Sequence, residues 1–101
     1  MSRVAIIDRI TLAEDRVESW LGRLDQEYRP TVEERGAMLV SSWRRHIDGE
    51  TIELCLVWEC PDIAAFWKVR SEARLDPRIL EWWAATDDIA ISRDRKVYGS
   101  S

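Results

Sequence analysis

Apolar residues alternate with polar ones near the start of the chain. Val4, Ile6, Ile10 and Leu12 fall on one face of an extended segment, and Ala5 and Ile7 make the other face partly apolar. A segment apolar on both sides predicts a central strand over 4–12. Asp8 interrupts the more apolar face. From Ala13 the period lengthens: Val17, Trp20, Leu21, Leu24 and Tyr28 recur at helical spacing with charges between them. Thr11 and Glu14 stand at the spacing of a capping box, which predicts the helix start there. Arg29-Pro30 should end or kink this helix, and Thr31 to Gly36 reads as one further turn closed by glycine.

Two strands follow, over 37–46 and 51–59, with Asp48-Gly49 between them as a hairpin signal. In the second, Ile52, Leu54, Leu56 and Trp58 point one way, towards a helix-covered core. Glu53, Cys55, Val57 and Glu59 point the other way, a mixed face of the kind a second subunit covers. Pro61-Asp62 opens another helix, with Ile63, Phe66, Trp67, Arg70, Ala73 and Arg74 along one side. Asp76-Pro77 restarts a helix, Asp76 as cap, with Ile79, Leu80, Trp82 and Trp83 apolar. Strand character resumes over 89–98. The order strand, helix, strand, strand, helix, strand is the split βαβ pattern of an α+β ferredoxin-like fold. It predicts a four-stranded antiparallel sheet with helices on one face, in one domain over 1–101. The other face needs a partner, so a homodimer is expected.

Composition sharpens this picture. Six tryptophans accompany a single histidine, His46. So much indole suggests an aromatic-lined hollow for a flat apolar ligand, or else a tryptophan-rich core. The net charge of −4 and the lack of a basic stripe among the aromatics argue against nucleic acid. Arg44-Arg45 and Arg93-Asp94-Arg95-Lys96 read as solvated surface. No apolar stretch approaches the roughly 20 residues of a membrane span, and the N-terminal apolar run is too short for a signal-peptide core. The expectation is a cytoplasmic protein that works without a membrane. Cys55 and Cys60 match no metal motif and read as free thiols. No phosphate-cradling loop, zinc set or nucleophile elbow is present, so no cofactor or metal is expected.

The strand-to-helix passage LVWECPDIAAFW over 56–67 and the first strand resemble the dimeric α/β-barrel superfamily. Antibiotic-biosynthesis monooxygenases, small polyketide cyclases and heme-degrading monooxygenases belong to it. The resemblance implies a barrel of two sheets packed face to face. It also implies a cofactor-independent monooxygenation or cyclisation of a polycyclic aromatic or polyketide-like substrate. By position Asp8 matches the heme-degrading members' strand asparagine and Trp67 their helix tryptophan. The heme-ligating histidine has no counterpart, which argues against heme breakdown.

Several side chains are candidates for chemistry. Asp8, desolvated among aliphatics, would be a general base, or would be tied up by Arg70 or Arg74. His46 is the second candidate base if its strand face, shared with Ser42 and Arg44, lines a cavity. Trp67 would stack on an aromatic ring while Arg70 neutralises a phenolate or enolate. Trp43, Trp58 and Tyr28 could line the pocket, or serve the core or the dimer contact. Trp82-Trp83 reads as a lid or dimer-edge element. The alternative function is a non-catalytic dimeric small-molecule-binding or stress-associated module of the same fold.

Overall fold

A computed structural model describes residues 3–100. Strand β1 (Val4–Ala13) lies inside a sheet with β2 (Met38–His46), β3 (Thr51–Cys60) and β4 (Ser92–Gly99), in the order β2-β3-β1-β4. All three pairings are antiparallel. Val4, Ile6, Ile10 and Leu12 of β1 and Ile52, Leu54, Leu56 and Trp58 of β3 are buried on the helix-covered face. The period-2 reading of both strands therefore describes the core face, and the ferredoxin-like α+β fold is realised.

The capping box does not form. Thr11 stays within β1, opposite Glu53 and Ser92, and the strand runs on to Ala13. Sheet pairing on both sides outcompetes a local cap at this position. The helical run begins as a 3-10 turn at Glu14–Arg16 with no side-chain cap. It continues as α1 (Val17–Arg23), a π segment (Leu24–Tyr28) and α2 (Arg29–Arg35). Pro30 does not stop it. Proline lacks the N–H that would bond back to Gln26, and the wide π turn just before it absorbs the mismatch. Gly36, at φ 116°, ends the run in the left-handed conformation that favours glycine.

The hairpin between β2 and β3 uses a four-residue loop, 47–50, in which Ile47 N–H donates to the Thr51 carbonyl at 3.0 Å. Asp48 Oδ1 accepts from the Glu50 N–H at 2.8 Å. A bulge at Val40 shifts the β2 register, so that Leu39 faces the core opposite Trp58 while Trp43 falls opposite Cys55 on the open face.

Helices α3 (Ile63–Ala73) and α4 (Pro77–Ile89) each start at an aspartate cap. Asp62 accepts from the Ala65 N–H at 2.7 Å and Asp76 from the Arg78 N–H at 2.9 Å. Asp76 also binds the guanidinium groups of Arg78 and Arg35, which hold its carboxyl well below the usual carboxylate range. The buried side of α3 is Phe66 and Val69, and Trp67, one residue round the helix, is 53% exposed. On α4 the buried stripe is Ile79, Trp82 and Thr86, while Leu80 turns outward. Trp82 is core, not lid: it packs on Trp20 and stacks on Tyr28, with ring centroids 5.3 and 5.4 Å apart. The Trp20 indole N–H donates to Thr86 Oγ1 at 3.1 Å, which satisfies one buried donor of this cluster. Among the described residues no helix is long and apolar enough to cross a membrane.

Candidate functional site

A cavity of about 580 Å³ opens between the sheet and the helices. Its floor is the core face of the sheet: Ile6 from β1, Trp58 from β3, and Arg95 and Val97 from β4. Tyr28 and Val32 close one side. Phe66, Val69 and Ala73 of α3 and Ile79 and Trp83 of α4 close the other. The walls are aromatic because Tyr28 sits among indoles: it meets Trp58 and Trp83 edge-on, with centroids 5.7 and 5.3 Å apart.

Asp8 lies beneath the floor at 2% exposure. Arg95 is its direct partner across the β1–β4 pair, so both side chains leave the sheet on the same face. The Arg95 Nε and Nη2 donate to Asp8 Oδ1 and Oδ2 at 2.6 and 2.9 Å, a two-pronged grip. The Trp58 indole donates to Oδ2 at 3.2 Å. Arg95 Nη2 also donates to the Tyr28 hydroxyl at 3.3 Å. Burial works against the charge on Arg95, but the hydrogen bonds and charge of Asp8 outweigh it and raise its pKa further. Burial raises the Tyr28 pKa above the ordinary phenol value, with the nearby Arg95 charge opposing it. Trp83 lies under both Arg93 and Arg95, whose guanidinium carbons are 4.7 and 5.2 Å from the ring centroid.

The sequence-derived candidates divide in two. Tyr28, Trp58 and Arg70 line the cavity and Asp8 lies behind its floor. His46, Trp43 and Trp67 do not line it. His46 is exposed at the end of β2, opposite Ile52. Ile52 is six residues along β3 from Trp58, about 20 Å at strand spacing. Arg44, on the same face, is engaged by Glu18 at 2.9 Å. Trp43, 67% exposed, stands on the open sheet face. Trp67 stands outside and lies against Arg70, whose guanidinium carbon is 5.5 Å from its ring centroid.

The ion partner of Asp8 is a correction. Neither Arg70 nor Arg74 reaches it; Arg95 does, from the run 93–96 read as solvated surface. Strand parity was the signal. Arg93, Arg95 and Val97 share a face, and an antiparallel β4 beside β1 brings the middle one against Asp8. Trp83 lines the cavity wall.

Cys55 and Cys60 are free thiols, and burial pushes the Cys60 thiol up. Among the described residues no cluster of His, Cys, Asp and Glu is arranged to hold a metal ion.

No protein-family model matches the chain, and no curated protein sequence matches it significantly. Solved structures do. A dimeric ferredoxin-like protein from an uncultured marine organism superposes with a TM-score of 0.77 at 12% identity, over 99% of this chain and 96% of that one. A NIPSNAP-family protein of unknown function from Agrobacterium tumefaciens gives 0.74 at 16% identity, over 98% and 88%. A proposed antibiotic biosynthesis monooxygenase from Nitrosomonas europaea gives 0.68 at 14% identity, over 97% and 89%. What this chain shares with them is the ferredoxin-like fold.

Proposed function

We propose that this chain is a small-molecule-binding ferredoxin-like module that acts as a homodimer and takes a flat aromatic ligand of polycyclic or polyketide-like type. The observation that carries the reading is the cavity of about 580 Å³ walled by Tyr28, Trp58, Phe66 and Trp83. Its volume suits a small organic molecule, and its walls suit an aromatic one. The dimer is supported by the open sheet face, where Ile7, Cys55 and Val57 are half-buried and Met38, Trp43 and Tyr98 are exposed without helices over them. Two such faces packed together would form the dimeric barrel. Quenching of tryptophan fluorescence by anthrone- or naphthol-like compounds tests the binding reading. Saturable quenching at one ligand per chain supports it, and its absence refutes it.

A second reading is a cofactor-independent monooxygenase or cyclase in which Asp8 removes a proton from a phenol or from a carbon next to a carbonyl. The buried carboxylate behind the cavity floor favours it, as does the fold shared with the Nitrosomonas europaea protein. Asp8 would have to release one oxygen from Arg95, which would then face the phenolate or enolate so formed. Turnover of an anthrone-like compound that Asp8→Asn abolishes, while binding persists, supports this reading. Turnover unaffected by Asp8→Asn removes Asp8 as base.

A further inference from the structure

Four arginines line the cavity: Arg35, Arg70, Arg74 and Arg95. No carboxylate does, among the described residues. Their charges are not equally compensated. Asp8 neutralises Arg95 from behind the floor. Asp76 and Glu72 hold Arg35. Arg70 and Arg74 have no ion-pair partner among the described residues. Arg70 lies in the last turn of α3 and Arg74, four positions on, is its C-cap with helical backbone angles, so the two stand on one side of the helix end. Arg70 lines the cavity, and its guanidinium carbon stands 5.5 Å from the centroid of the Trp67 ring.

An apolar chamber with unneutralised guanidinium groups and no acid on its walls selects for a molecule with the opposite arrangement. We infer that the ligand is an aromatic carboxylate. Its ring packs among Tyr28, Trp58, Phe66 and Trp83. Its carboxylate is taken by Arg70 and Arg74. The planar fork of arginine matches a carboxylate in shape as well as charge. This inference rests on the binding reading above and adds the charge of the ligand to it.

Calorimetric titration with a matched pair, 2-naphthoate and the uncharged 2-naphthamide, tests it. The two differ little in shape and differ in charge. The wild-type protein should bind the carboxylate at one per chain, about tenfold or more tighter than the amide. The double variant Arg70→Gln/Arg74→Gln changes exposed residues, and its fold can be confirmed by circular dichroism. In it the preference should shrink to about twofold or less while the amide binds as before. Equal binding of acid and amide overturns the inference and leaves the binding reading intact. Binding of neither compound overturns both. A carboxylate preference that survives the double variant overturns the assignment to Arg70 and Arg74.

Discussion

Asp8 and Arg95 are cross-strand neighbours, and the guanidinium of one closes on both oxygens of the other. The pair joins the central strand to the edge strand β4, whose eight residues are exposed by residue area. Arg95 also lines the cavity floor, with Asp8 behind it. Replacing Asp8 by Asn leaves the Arg95 charge without its counter-ion. Because the Arg95 side chain is 40% exposed, water offsets part of that loss. We expect Asp8→Asn to lose about 1–3 kcal/mol in urea denaturation. Adding Arg95→Gln should restore part of it, with a coupling of about 0.5–3 kcal/mol in the double-mutant cycle. Strict additivity would mean that the pair does not hold β4.

Thr86 accepts a hydrogen bond from the Trp20 indole inside the core, and at 1% exposure no water replaces it. Thr86→Val keeps the shape and removes the acceptor. It should cost about 1–3 kcal/mol, and Thr86→Ser should cost less because it keeps the oxygen. The two denaturation midpoints, compared at equal slope, check this. A valine variant as stable as wild type would show that the indole N–H needs no partner.

Tyr28 gives a pH dependence at the alkaline end. Burial raises its pKa, so the folded chain keeps a phenol proton that the unfolded chain releases near pH 10. The contribution is whole below about pH 10 and is lost as pH rises through the higher folded value. Stability should therefore decline with pH above about 10, and less steeply in Tyr28→Phe. Chemical denaturation across that range, compared between the two proteins, is the measurement. Parallel profiles would contradict the assignment.

The open sheet face carries the dimer proposal. Val57 lies at its centre on β3, between Ile7 on β1 and Ser41 on β2. Sedimentation equilibrium should give twice the chain mass for the wild type. Val57→Asp should shift it towards the single-chain mass, because it places a charge inside the proposed contact. A wild-type monomer at all concentrations would remove the dimer.

Much of this architecture was legible in the sequence because it rests on local periodicity. The alternation in 4–12 and 51–59 located the core face, and the aspartates before α3 and α4 marked their starts. What escaped depends on contacts between distant segments. Thr11 resembles a cap until β3 and β4 claim its backbone. Pro30 resembles a stop until a π turn accommodates it. Arg95 resembles surface charge because its neighbours Asp94 and Lys96 are charged too, and only the register with β1 shows that it meets Asp8. Trp67 and Phe66 are adjacent aromatics of similar appearance. Which of them faces inward depends on how α3 packs, and the helix buries Phe66 with Val69.

The most direct test of the central claim is a methyl NMR titration with a naphthol-like compound, because it reports where a ligand sits. If the cavity is the binding site, the methyls of Ile6, Val32, Val69 and Ile79 shift saturably at one ligand per chain, and those of Ile47 and Ile91 do not. Shifts confined to Ile7 and Val57 on the open sheet face, or no shifts at all, would contradict the account.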